Sequence, residues 1–326
     1  MSSGRGHAAG AWLPPTDQAI AGMVLREWGL AGALTPLPSY ADANRRLHGT
    51  DGDCVVKLAH PDNDVSQLDL ENRAMLHLQQ TGCRARTPRL RLTLEGSPMV
   101  RMRLDDGRHA QLRLVEFIDG PLLAAGPVDA ALARSIGEQV AWLAQGLSGF
   151  AHPAAHACGG WNLSSLPALA DAIDLVDDLE LRCLVRAGLE DFAQRLPAWE
   201  SHLPRQVIHN DPNDHNLIVD PGRRAVRAVI DFGDMCHGFR LADLAIACIH
   251  AIQADAAPGP VMDAVVAGYA SVSPLLGAER EALPRFIRAR LCQSILMAER
   301  ARRADPGNPY VMVSQPAVRA LLRTLA

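Results

Sequence analysis

Residues 207–216 read Val-Ile-His-Asn-Asp-Pro-Asn-Asp-His-Asn, and an apolar run resumes only where this polar cluster ends. Two β-branched runs then follow, Leu217-Ile218-Val219 and Val226 to Ile230, flanking Pro221-Gly222, which is the pattern of a hairpin. The second run leads into Asp231-Phe232-Gly233-Asp234, so a carboxylate stands at the end of a buried strand. Asp211, Asn216 and Asp231 therefore lie at the two ends of one hairpin. Three oxygen side chains placed in this way can converge on a hard divalent cation and a reacting hydroxyl. Solvated turns rarely combine an H-x-D-x-x-x-x-N spacing with a strand-terminal D-F-G.

The rest of the chain must position that loop. Helical spacing covers Gln18 to Trp28, and strand-like runs follow at Ala33 to Leu37, Asn44 to His48 and Cys54 to Ala59, with a turn at Gly49-Thr50-Asp51-Gly52. An amphipathic helix over Asp64 to Gln80 ends at Gly82, and two further strands are expected at Arg89 to Leu94 and Gln111 to Phe117. From Val128 onward helix dominates: 128–146, 166–173, 176–196, 241–253, 261–270 and 279–303. The expectation is an α+β chain with a small sheet-containing N-terminal part over 1–118 and a larger, mostly helical C-terminal part over 119–326.

The loop and the order of elements together resemble the aminoglycoside phosphotransferase and choline kinase family, small-molecule relatives of the protein kinases. The resemblance runs from Leu37 to Ala245 and implies a two-lobed, protein-kinase-like fold. It implies that Asp211 orients the acceptor hydroxyl and takes its proton, while Asn216 and Asp231 hold Mg²⁺ against the nucleotide phosphates. Lys57, in Cys-Val-Val-Lys-Leu, takes the place of the strand lysine, and Glu71 that of the helix glutamate which pairs with it. Leu114 to Gly120 resembles the hinge, where the backbone of Glu116 and Ile118 meets the purine base. No G-x-G-x-x-G covers the phosphates; Leu37-Pro38-Ser39-Tyr40-Ala41-Asp42-Ala43-Asn44 stands there, with Ser39 and Tyr40 as candidate contacts or as part of an ordinary polar turn. That segment, with His209 to Asn216 and Ile230 to Asp234, is most similar to the hydroxylysine kinases. His209 is expected to brace the loop, and Asp243, at a helix start, to tie its backbone. Asn210 stands where many family members have Gly and takes no chemical role.

Asp243 follows Asp231 by only twelve positions, too few for a peptide-docking activation segment, so a small-molecule acceptor is expected. From Val261 to the C-terminus nine arginines face five acids, which leans toward an acceptor carrying a carboxylate and makes Arg288 or Arg290 a candidate clamp, though surface arginines read the same. The resemblance makes the donor GTP or ATP and 5-hydroxylysine the first acceptor. Homoserine, ethanolamine, choline and aminoglycosides are alternatives, and a nucleotide-binding regulatory module is the alternative of another class.

Composition narrows the setting. Net charge is −4, 48% of residues are hydrophobic and 4% aromatic, which fits neither a disordered chain nor a nucleic-acid-binding surface. No run is apolar and long enough to span a membrane, and the first 18 residues lack a secretory apolar core. Seven scattered cysteines without a C-x-x-C pair fit reduced thiols in the cytoplasm. His152 and His156 are spaced i, i+4, but Pro153 opposes a regular helix and no third ligand lies near them, against a metal site. Trp161 is expected to pack into the helical part. Among 32 basic residues the only lysine is Lys57.

Overall fold

The computed structural model describes residues 12–39, 42–157, 159–252, 258–307 and 309–325. The chain opens with α1 (Asp17–Trp28), whose first turn is capped by the Thr16 side chain accepting from the Ala19 N–H. Gly29, at φ 69°, ends it in the left-handed conformation that glycine adopts without strain. Three antiparallel strands follow, β1 (Gly32–Pro36), β2 (Ala43–Gly49) and β3 (Cys54–Leu58), and then α2 (Val65–Gln80), capped by Asp64. The short strands β4 (Leu90–Arg91) and β5 (Val100–Arg103) precede the longer β6 (His109–Glu116). The sheet runs β1-β2-β3-β6-β4, with β5 also paired to β6, and every pairing is antiparallel.

Strand alternation decides where the lysine points. Cys54, Val56 and Leu58 of β3 pack with Ile20, Val24 and Trp28 of α1 in one apolar cluster. Val55 and Lys57 therefore face the opposite side of the sheet.

The remainder is mostly helical. It contains α3 (Ala130–Gly146), a 3₁₀ turn at Pro153–His156, a 3₁₀ segment at Leu163–Leu175 and α4 (Leu179–His202). The loop-bearing region then forms β7 (Arg205–Ile208), the hairpin β8 (Leu217–Val219) with β9 (Val226–Val229), and β10 (Cys236–Phe239), which returns antiparallel to β7. Helices α5 (Arg240–Ile252), α6 (Pro258–Val272), α7 (Gly277–Ala304) and α8 (Gln315–Thr324) complete it. The largest apolar cluster joins α2 and Val115 to these helices, so one core supports both the sheet and the loop. Among the described residues, no helix is long and apolar enough to cross a membrane.

The structure corrects several boundaries. Leu163–Leu175 is 3₁₀ rather than α-helix, with Pro167 inside it lacking the N–H that an α-turn needs. Strands β5, β7 and β10 and helix α8 were not expected from the sequence.

Candidate active site

Strand β7 delivers His209 to Asn216 into a buried loop whose backbone is held from two sides. Asp243, in the first turn of α5, accepts from the His209 N–H at 3.1 Å and the Asn210 N–H at 2.7 Å. The His209 ring accepts from the Asp211 N–H through Nδ1 (3.3 Å), which leaves Nε2 to donate to the Ile230 carbonyl (3.1 Å). That pair of bonds defines a neutral ring, and burial holds its pKa down at about 4. Burial likewise pushes Asp243 up to about 6, outweighing the two amides that favour its charge. His209 thus links the loop to the segment after β9 that carries Asp231, the bracing expected of it.

Two residues at the ends of this hairpin have φ in the left-handed region, Asn210 at 66° and Asp231 at 64°. Asn and Asp tolerate that region better than most residues. Asn210 therefore meets at this position a backbone conformation that glycine also adopts freely. Its side chain also donates from Nδ2 to the Asp234 carbonyl at 3.1 Å.

The carboxylate of Asp211 accepts through Oδ2 from Asn213 Nδ2 and Asn216 Nδ2, both at 2.9 Å. Burial first, and the Asp234 charge second, hold its pKa well above the usual carboxylate range. Asp231 goes the other way. Burial works to raise its pKa, but the Lys57 ammonium, 3.2 Å from Oδ1, brings it down to about 2. Lys57 and Asp231 are 174 positions apart, so this contact joins β3 directly to the hairpin.

The expected pairing of Lys57 with Glu71 is corrected by the hydrogen bonds of the two side chains. Glu71 Oε2 accepts from Arg113 Nη2, and Arg113 also donates to Asn72 Oδ1 at 3.0 Å. Arg113 is the cross-strand partner of Lys57 in the β3–β6 register, so it lies between the lysine's strand and α2. All three members of this cluster are buried. The signal for it was an Arg set between Leu112 and Leu114, in the apolar stretch of β6.

Other candidates fall around the same cleft. Ser39 is exposed in the β1–β2 connection, and Tyr40 lies outside the described residues. Asp42 closes that connection, accepting through Oδ1 from the His60 N–H (3.0 Å) and Asn63 Nδ2 (2.8 Å). Glu116 donates its N–H to the Arg89 carbonyl at 2.8 Å, while its carboxylate takes Arg86 at 2.8 Å. Ile118 packs against Ile218 and Ala228, which places the segment after β6 on the β8–β9 hairpin.

The arginine-rich C-terminal segment has a different use from the one its charge suggested. Arg285, Arg300 and Arg323 pair with Asp191, Asp171 and Asp178. Arg302 and Arg319 share Glu299. Arg288 lies against Gly188 of α4, and only Arg290 reaches the loop. Nη1 and Nη2 of Arg290 donate to carbonyls and to Gln293, so this candidate clamp has an internal use in the structure. His152 contacts Asp69 at 3.1 Å while His156 stacks on His237 at 4.6 Å, so the two rings serve different partners.

Asn216 spends its amide nitrogen on Asp211, at the carbonyl and Oδ2, both at 2.9 Å, so its oxygen is the atom left to a ligand. With the Asp231 carboxylate this makes a small hard-oxygen donor set. It suits Mg²⁺, which takes one or two protein ligands and completes its shell from phosphates and water. Among the described residues no group of three or more His, Cys, Asp or Glu is arranged to hold a metal ion by protein alone.

An antiparallel sheet flanked by α2, a buried H-x-D loop and a strand-terminal D-F-G backed by helices together define a kinase-like fold. The chain belongs to the phosphotransferase enzyme family, which it matches over residues 33–282. It is 30% identical over 310 residues to a hydroxylysine kinase of Danio rerio, covering 90% of this chain and 87% of that one. A homoserine kinase of Sinorhizobium medicae is 28% identical over 277 residues, covering 79% and 76%. Among solved structures, a microcompartment-associated aminopropanol kinase superposes with a TM-score of 0.71 at 18% identity, covering 94% and 97%. An amicoumacin kinase in complex with AMP-PNP and Ca²⁺ gives 0.69 at 14% identity, covering 95% and 94%. The protein is a small-molecule kinase, a phosphotransferase whose acceptor is a hydroxyl group.

Proposed function

We propose that this enzyme transfers the γ-phosphoryl group of ATP or GTP to the hydroxyl of a small amino alcohol, with 5-hydroxylysine the leading acceptor. The observation that carries the reading is the meeting of Lys57 with Asp231 at 3.2 Å beside the buried Asp211–Asn216 pair. Phosphoryl transfer asks chiefly for positioning and charge neutralisation, and these groups supply both. Asp211 aligns the acceptor hydroxyl and accepts its proton; its raised pKa makes it a stronger base than an exposed carboxylate. Lys57 lies against the phosphates. Asn216 and Asp231 hold Mg²⁺, which supplies charge neutralisation at those phosphates when bound.

The β1–β2 connection, with Ser39 and Tyr40, covers the phosphates, and Asp42 anchors it to the turn after β3. The Glu116 carbonyl and the Ile118 N–H face the purine, since the Glu116 N–H is already given to Arg89. Glu71 acts one step back, by fixing Arg113 beside Lys57. The hydroxylysine kinase likeness over most of the chain supports the first acceptor. Homoserine and aminopropanol are the next, from the relatives that bear those names.

The test is release of nucleoside diphosphate from Mg-ATP and Mg-GTP against 5-hydroxylysine, homoserine, aminopropanol, ethanolamine, choline and an aminoglycoside. Turnover confined to one amino alcohol with one nucleotide assigns both substrates. Nucleotide binding without turnover across a broad acceptor panel would instead favour a regulatory module. Asp211→Asn should lower kcat by about 1,000-fold with nucleotide affinity kept within about twofold.

A further inference from the structure

Arg290 lies on α7, 79 positions beyond Asp211, yet its buried guanidinium meets the catalytic loop. Nη1 donates to the Trp161 carbonyl at 2.8 Å and to Gln293 Oε1 at 3.1 Å. Nη2 donates to the Asn210 carbonyl at 3.2 Å and lies 3.9 Å from Asp211 Oδ1. The guanidinium sits over the Trp161 ring at 4.7 Å, a stack that holds its plane. Gln293, one turn along, donates from Nε2 to the carbonyls of Gly160 (2.9 Å) and Asn162 (3.1 Å). Asn162 in turn donates from Nδ2 to the His237 carbonyl on β10 at 3.1 Å. One face of α7 thereby ties the 160–162 segment to the loop and to the strand after Asp234.

The atom that receives the fork matters most. The Asn210 carbonyl belongs to the peptide that leads into Asp211, and Asn210 is the residue held at φ 66°. Fixing that carbonyl fixes the direction in which the Asp211 side chain leaves the backbone. Oδ2 of Asp211 is taken by Asn213 and Asn216, while among the described residues no hydrogen bond takes Oδ1. At 3.9 Å, Arg290 is near enough to act on Oδ1 by charge and too far to occupy its lone pairs.

We propose that Arg290 is a positioning residue, whose fork, held flat by Trp161 and Gln293, fixes the Asn210–Asp211 peptide and so aims Oδ1 at the acceptor hydroxyl. The inference rests on the kinase reading above, and its test is built to fail separately from it. Lysine keeps the charge at this position but neither stacks as a plane nor spans acceptors set out for two separate nitrogens.

The experiment compares full-length R290K and R290Q with the wild type. It measures melting temperature, nucleotide Kd, kcat per folded molecule and hydrogen exchange of the loop amides. Both variants should lose about 100-fold in kcat, as misaimed groups do, with nucleotide Kd within about twofold. Exchange at Asn210 and Asp211 should quicken while β1 to β3 keep their protection. In R290A, added methylguanidinium should restore kcat in a saturable way. Wild-type kcat in R290K, or a fall in melting temperature with kcat per folded molecule intact, would overturn the proposal. Unchanged loop exchange in both variants would overturn it even in a protein that turned over no acceptor, whereas failure of the kinase reading would appear in the wild type itself.

Discussion

Lys57 shows how much one side chain can carry. Every other basic position in this chain is Arg, so most surface cations have been filled by one residue type, and position 57 has not. The site geometry supplies a reason. The ammonium reaches across from β3 to Asp231 while Arg113, its neighbour in the register, binds Glu71. A planar guanidinium at 57 would crowd Arg113 and spread its charge away from the phosphates proposed to lie against it. Lys57→Arg should raise the nucleotide KM by about tenfold or more at nearly unchanged melting temperature, measured by initial rates over a nucleotide series. Glu71 has the opposite profile. Its removal strands a buried arginine, so Glu71→Gln should cost about 3 kcal/mol of stability or more in denaturant unfolding. Combining it with Arg113→Met should recover most of that loss, and equal stability of the single variant and the wild type would exclude a structural ion pair. Lys57, Asp211, Asn216 and Asp231, which the structure brings together, stood out in the sequence because each has a distinct type at a distinct spacing. The partner of Glu71 was not, because pairing depends on strand register, which a single sequence encodes only through turns and alternation.

At the scale of elements, the long periodic segments were readable and the short ones were not. Helices α2, α3 and α5 and the hairpin β8–β9 fall within a few residues of their sequence-derived bounds, since each carries either an extended apolar stripe or a Pro-Gly turn. Strand β10 reads Cys-His-Gly-Phe and exists because it pairs with β7, some 30 positions earlier. No local pattern announces such a contact. The packing of α3 against α6 is a further case, set by two glycines. A Cβ on Gly137 would stand 1.9 Å from the Val265 carbonyl oxygen, and one on Gly268 would stand 2.0 Å from that of Arg134. Backbone cannot yield there as a flexible side chain would, so Gly137→Ala and Gly268→Ala should each destabilise by about 2 kcal/mol or more. Gly22, inside α1, has nothing among the described residues within 4 Å of a new Cβ. Gly22→Ala should therefore stabilise by about 1 kcal/mol through helix propensity alone. Melting temperatures of the three variants check both signs, and a uniform loss across them would refute the distinction between close approach and open space.

For the whole molecule, the polar centre is so deeply placed that its protonation bears on stability, and the contributions oppose each other. His209 is buried neutral with a pKa near 4 against an ordinary 6.5. As pH falls below 6.5 the unfolded chain takes up that proton first, so stability present above pH 6.5 is lost progressively toward pH 4. Taken alone the loss is about 3 kcal/mol. Asp243 has the reverse sign. Its pKa of about 6 lies above the ordinary 3.8, so the folded protein takes up the proton first and regains stability as pH falls from 6 toward 4. Asp211, also raised by burial, acts in the same direction. Histidine and carboxyls thus offset one another over nearly one pH window. Asp231, held at about 2 by Lys57, adds a loss that begins only below pH 3.8. The prediction is a difference between two curves. His209→Gln removes the histidine term and keeps a side chain able to donate to Ile230, leaving the carboxyl terms unopposed. Between pH 6.5 and 4.5 the variant's melting temperature should rise relative to that of the wild type, whatever the offset between them at pH 8. Parallel curves across that window would mean that His209 takes up its proton in the folded state as readily as in the unfolded one.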